Sequence, residues 1–148
     1  MRIIVCESGT DFRKKDAPLV REPSKVGEIL KDLVQSDTEF FAVLSLDKKY
    51  RLLAVDIVSM GTADACIANP RDVFRTALSR GAVAVIVAHN HPSGDTTPSA
   101  EDCRVSRQMV AAGKALEIQC LDSIIVGPNG TDVPTCHSLR ESGLVDFT

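Results

Sequence analysis

The sequence predicts an α/β protein: a mixed β-sheet covered by helices. Three observations carry that prediction. Residues 82–88, "AVAVIVA", are apolar on both faces, as a strand buried between two layers must be. Residues 40–46 and 51–59 are two further apolar runs joined by "DKK", the pattern of an antiparallel hairpin. Stretches with helical spacing and cap residues stand between and around these strands. The predicted element order is α-β-β-α-β-α-β-α.

Each element has its own local reason. Residues 8–23 are polar and interrupted by Pro18 and Pro23, so residues 1–23 are expected to form an N-terminal arm, with the domain proper at 24–148. Val26, Ile29, Leu30, Leu33 and Val34 recur at helical spacing and predict a helix over 24–36, with Ser24 as its N-cap. A second helix is predicted over 69–81, with Asn69 as cap, Pro70 at its first position and Gly81 at its end. Ser99 opens a third, whose core stripe is expected to be Val105, Met109, Ala112 and Leu116. Residues 118–127 read as a strand. Ser138 and Glu141 suggest a capping box on a short closing helix over 138–143.

The chain has 148 residues, 44% hydrophobic and 25% charged, enough for one domain with a real core. Its net charge of −3 is not the electrostatic footprint of a general DNA binder. Local basic patches remain open; "FRKK" at 12–15 is one, flanked by Asp11 and Asp16. The five cysteines (Cys6, Cys66, Cys103, Cys120, Cys136) form no C-x-x-C pair and no disulfide framework. "IIV" at 3–5 is too short for a signal-peptide core, and no run approaches a membrane span. A soluble, cytoplasmic protein with reduced thiols is expected, with no membrane partner.

The chemistry concentrates in "HNHPSGDTTPSAED", residues 89–102. Alternate residues of an extended chain point the same way, so His89 and His91 can reach one point beyond the end of the buried strand, where open α/β sheets place ligands. Ser99-Ala100-Glu101-Asp102 has the form of a capping box, with acids at the positive end of the helix. It equally supplies a carboxylate to the two imidazoles. Two His and one Asp suit a tetrahedral zinc whose fourth position is left to water. On these residues alone, the capping and the metal readings both stand.

The same stretch resembles the signature of the JAMM (MPN+, JAB-type) zinc metalloproteases, His-x-His-Pro followed after six residues by Ser-x-x-Asp. It is most similar to the RadC branch, with His-Asn-His-Pro-Ser-Gly and Pro-Ser-x-x-Asp. The likeness continues through "EFFAVLSLDKKYRLL", "GTADACIANPRDVFRTAL", "LDSIIVG" and "SLRESGL", and covers about residues 24–145. The resemblance implies a fold similar to cytidine deaminases. It implies zinc held by His89, His91 and Asp102, with Glu39 as the upstream catalytic acid and Ser99 as the serine that stabilises an oxyanion. It further implies hydrolysis of an amide bond, and a peptide or ubiquitin-like protein as substrate.

The chain departs from the branch at Asp122-Ser123, where relatives have Asp-His; Asp122 is read as structural. Longer relatives carry a helix-hairpin-helix-like region associated with DNA, whereas about twenty-three residues precede the first good helix here. The competing reading is a RadC-type partner-binding or DNA-associated repair protein whose metal site is structural or vestigial. A deaminase would need H-x-E with P-C-x-x-C, and neither is present. Among the remaining candidates, His137 is expected at the surface. Cys103, turned by about 100° from Asp102, should pack rather than coordinate, and Arg71 is read as structural.

Overall fold

A computed structural model describes residues 17–61 and 68–148. Cys6, Cys66, the basic patch at 12–15 and most of the expected arm lie outside the described residues. In chain order the elements are α1 (Pro23–Val34), β1 (Glu39–Leu46), β2 (Leu52–Gly61), α2 (Pro70–Ser79), β3 (Ala84–Asn90), α3 (Ala100–Leu116), β4 (Gln119–Gly127) and β5 (Thr135–Ser138). The sheet order is β2-β1-β3-β4-β5. β3 and β4 run parallel, and the other neighbours are antiparallel. The fold is α/β with a mixed sheet, as the sequence predicts.

Period-two alternation divides the strands between two cores. On β1, Phe40, Ala42, Leu44 and Leu46 join Val26, Leu30 and Val34 of α1. Phe41 and Val43 join Val73, Phe74 and Ala77 of α2 and Met109 and Val110 of α3. On β3, Ala84, Ile86 and Ala88 face α1, while Val85 and Val87 face the other helices. The doubly apolar run at 82–88 is therefore the middle strand of a three-layer sandwich. No helix among the described residues is long and apolar enough to cross a membrane.

Several element details differ from the sequence-based expectation. α1 starts at Pro23 with Glu22 in the cap position and no side-chain cap bond. The fixed φ of proline suits the first helical position, so Ser24 lies inside the first turn and does not cap. Before the helix, the Val20 N–H donates to the Tyr50 carbonyl at 2.9 Å and the Leu52 N–H to the Pro18 carbonyl at 2.8 Å. Val20 is only 1% exposed and belongs to the α1-side core. α2 has the expected caps: the Asn69 side chain accepts from the Arg71 N–H, and Gly81 takes a positive φ of 70° just beyond the helix.

The buried stripe of α3 is Ser106, Met109, Val110 and Gly113. Val105 and Ala112 are half-buried and Leu116 is 46% exposed, so the face is rotated from the expected one. Gly113 explains the rotation. A Cβ there would lie 2.3 Å from the Ile118 carbonyl oxygen and 3.2 Å from Phe74 Cζ, so the helix presses its smallest residue against the backbone entering β4. Gly113→Ala is expected to destabilise the protein by about 1–3 kcal/mol through overpacking, although alanine is the better helix former. A urea midpoint equal to or above that of the unsubstituted chain would contradict this.

The closing helix is not formed. Residues 135–138 instead make the edge strand β5 against β4. A single turn follows, in which the Ser142 N–H donates to the Ser138 carbonyl at 3.1 Å, and Gly143, at φ 74°, ends it. The Ser138 Oγ does accept from the Glu141 N–H at 3.0 Å, but its own proton goes to Asp122. Asp122 also accepts from the Ser123 N–H at 2.7 Å and the Arg140 N–H at 3.1 Å. Burial pushes its pKa up against these donors. Its carboxylate ties β4 to β5 and the turn beyond.

Candidate metal centre

β3 extends further than the apolar run, so that His89 is inside the strand and His91 just past it. His89 pairs with Phe41 across β1–β3, and their rings stack with centroids 5.9 Å apart and planes 4° from parallel. The His91 N–H donates to the Val126 carbonyl at 2.9 Å, which carries the chain on alongside β4. Gly94, at φ 87°, then turns the loop back; a Cβ there would stand 2.8 Å from the Pro128 carbonyl oxygen. The imidazole centroids of His89 and His91 end 5.2 Å apart.

The N-terminus of α3 brings in the third group. Ser99 Oγ accepts from the Asp102 N–H at 3.0 Å, and Asp102 Oδ2 accepts from the Ser99 N–H at 2.9 Å, a reciprocal capping box. The same carboxylate faces both imidazoles. Its Oδ1 is 3.0 Å from His89 Nε2 and its Oδ2 3.3 Å from His91 Nε2. One donor atom from each of His89, His91 and Asp102 lies within 4.8 Å of the others, the one such group among the described residues.

The donors fit a cation. Both ring nitrogens of His89 are buried without a hydrogen-bond partner; the Nε2–Asp102 approach lacks hydrogen-bond direction. A buried imidazole with no partner is rare unless something else satisfies it. The Asp95 carbonyl lies 2.8 Å from His91 Nδ1 and can only accept, so this nitrogen carries the proton of the neutral ring. Nε2 then presents a lone pair to the Asp102 carboxylate, an arrangement that needs a proton or a metal between them. In the metal-free protein the Asp102 bond holds the His91 pKa above its ordinary 6.5, against desolvation, with the Asp95 carbonyl and the charges of Asp102 and Glu39 assisting. Burial opposes the charge on Asp102, but the two imidazoles and the Ser99 N–H outweigh it and keep its carboxyl well below the usual range.

A pH dependence follows. His91, with its pKa raised on folding, stabilises the metal-free protein below about pH 6.5, and that contribution is lost as pH rises through its folded value. Metal uptake needs the unprotonated ring, so it should behave oppositely. Zinc affinity, measured by chelator competition, is expected to fall as pH drops through a midpoint above 6.5. A flat affinity across this range would contradict the arrangement.

Glu39 is the half-buried first residue of β1. With Asp37, His91, Pro92 and Ser93 it lines a cleft of about 310 Å³. Ser99 is exposed at the start of α3. A larger cavity, about 380 Å³, opens near α1 and β4, lined by Val20, Val26, Ile86, Leu121 and Asp122 among others; none of the triad borders it. Cys103 packs against the core under α2 and α3. Arg71 borders an outer groove with Phe74 and Leu116. His137 is not a surface residue: it sits half-buried in β5 opposite Ile125, with its Nε2 buried and unpartnered. The extra strand β5 draws it in. Two contributors have no motif of their own in the sequence. One is the Asp95 carbonyl, which is backbone. The other is Asn90, whose side chain bonds to the residues on either side of Glu39.

Comparison with known proteins finds relatives along most of the chain. Residues 20–144 match the family described as the RadC-like JAB domain. The chain is 43% identical over 131 residues to a UPF0758 protein of Trichormus variabilis, covering 88% of this chain and 52% of the relative. It is 44% identical over 110 residues to a UPF0758 protein of Moorella thermoacetica, covering 74% and 48%. A UPF0758 protein of Caldanaerobacter subterraneus is 36% identical over 147 residues, covering 99% and 58%. The chain thus spans about half the length of the curated relatives it matches.

Proposed function

The chain belongs to the RadC-like JAB domain family, and from that premise we propose that it is a zinc-dependent metallopeptidase or isopeptidase that hydrolyses an amide bond. The observation that carries this reading is the convergence of His89, His91 and Asp102, with the His89 nitrogens buried and unpartnered. Three such ligands leave a fourth position open, the mark of catalytic rather than structural zinc sites. Bound there, zinc would acidify a water and polarise a substrate carbonyl.

The remaining work belongs to the chain. Glu39, in the cleft beside His91, takes a proton from the attacking water and delivers it to the leaving amine. The Ser99 oxygen is occupied as an acceptor by the Asp102 N–H, which leaves its hydroxyl proton for the developing oxyanion. Phe41, stacked on His89, and the Asp95 carbonyl, bonded to His91, hold the two rings in place. The substrate is a peptide or the tail of a ubiquitin-like protein, laid into the cleft between Glu39 and the Pro92–Ser93 turn. The net charge of −3 gives no support to DNA as the partner.

The test is to measure zinc in the purified protein and in His89→Ala, then to assay peptides and ubiquitin-like fusions. One zinc per chain, lost in the variant, with cleavage that a chelator stops and zinc restores, is the expected result. Stoichiometric zinc with no cleavage of any substrate would favour the partner-binding alternative. Tight, strongly salt-dependent DNA binding would favour the DNA-associated one.

A further inference from the structure

Asn90 stands between the two histidines, yet strand alternation sends its side chain to the opposite face of β3. It is 1% exposed. Its Oδ1 accepts from the Phe40 N–H at 2.8 Å, and its Nδ2 donates to the Thr38 carbonyl at 3.1 Å. These two backbone groups bracket Glu39. The backbone ladder between β1 and β3 ends at Phe41–His89, one residue short of Phe40 and two short of Glu39. A carboxamide offers one carbonyl and one N–H face, as a peptide unit does. Asn90 therefore adds one more rung by side chain where the backbone rungs stop.

We propose that Asn90 is a positioning residue: its carboxamide clamps the backbone on both sides of Glu39 and so sets the catalytic carboxylate against the metal centre that the neighbouring histidines form. The proposal rests on the reading of Glu39 as the base. One strand then fixes both halves of the machinery: His89 is a residue of β3, and Asn90, from the opposite face of the same strand, holds the backbone around Glu39. A one-sided substitute does less. In Asn90→Asp the new carboxylate has no proton to donate to the Thr38 carbonyl, and in Asn90→Ala neither group is held.

Two measurements on the whole chain test this without a substrate. The first is amide hydrogen exchange in the metal-free protein. Asn90→Ala should accelerate exchange at Phe40 by about tenfold or more, leaving the amides of Val43–Leu46 unchanged; Asn90→Asp, which keeps the Phe40 bond, should change it less. The second is the visible absorption of the Co²⁺-loaded protein. Glu39→Gln should alter the Co²⁺ bands, Asn90→Ala should reproduce that alteration, and the double variant should match Glu39→Gln alone.

A merely structural Asn90 would move the exchange rate and leave the Co²⁺ spectrum as in the unsubstituted chain; that result overturns the proposal. An unchanged Phe40 exchange rate overturns it as well. If Glu39→Gln itself leaves the spectrum unaltered, Glu39 is not beside the metal, and the assignment of the base falls before that of its clamp. If Asn90→Ala fails to fold, Asn90→Asp carries the comparison: it should show the same spectral change at reduced size, and an unaltered spectrum there counts against the clamp.

Discussion

Glu39→Gln is expected to bind zinc as the unsubstituted chain does and to hydrolyse its substrate about 10²–10⁴-fold more slowly. Glutamine keeps the shape of the side chain and cannot accept the water's proton. Glu39 is not in the group of candidate ligands, so zinc content is predicted to stay at one per chain. Its backbone neighbours remain held by Asn90, so the fold around it should not change. The loss should appear in kcat with KM little altered, the pattern of an interaction made in the transition state. Activity within about threefold of the unsubstituted chain, too small a change for a lost general base, would remove Glu39 from the mechanism.

Asp102→Ala is expected to abolish zinc binding and to weaken the metal-free protein as well. If Asp102 is the direct ligand proposed, its loss should lower zinc affinity by more than the ~10–100-fold typical of groups behind the ligands. At zinc a thousandfold above Kd, the unsubstituted chain gains about 4 kcal/mol of stability from occupancy, and the variant gains none. The second loss is the Asp102 half of the capping box; the bond from the backbone N–H at 102 to Ser99 Oγ stays. Asp102 accepts from the Ser99 N–H, and removing such a partner costs about 1 kcal/mol. Asp102→Asn separates the two roles. Its amide oxygen still reaches the Ser99 N–H, so it should recover most of the metal-free stability and little of the zinc affinity. Calorimetric scans with and without zinc measure both. Equal zinc-dependent shifts in the variant and the unsubstituted chain would rule out Asp102 as a ligand.

Much of this was legible in the residues because the signals were local. Asn69, Pro70 and Gly81 mark both ends of α2, and the apolar run before His89 suits an inner strand. Local signals also produced the errors. Ser24 is a good cap residue, but Pro23 starts the helix first. Helical periodicity in α3 allows more than one apolar face, and the choice is made by Gly113 against the Ile118 carbonyl, a contact across the αβ turn. β5 is four residues long and contains no run of β-branched residues, so nothing announces it before β4 is in place to pair with it.

The site divides along the same line. His89, His91 and Asp102 belong to one short segment and could be proposed together from spacing. Glu39 is fifty residues upstream and resembles any acid at a strand edge; without a family resemblance it could not be ranked above Asp37, which lines the same cleft. Asn90 lay in plain view within His-Asn-His. Its role is legible only when β1 is placed beside β3, because both its partners are main-chain atoms.

The double employment of Asp102 bears on how such sequences drift. In a lineage without the proposed hydrolysis, His89 would be the freer of the two histidines to change, since its ring nitrogens have no hydrogen-bond partner, whereas His91 is also held by the Asp95 carbonyl. Ser99 and Asp102 would still be retained by selection for a well-formed helix start. A homologue that keeps Ser-x-x-Asp but lacks His-x-His should therefore be read as a folded descendant without the chemistry, and the pair of histidines is the part of the signature to search for when looking for active members.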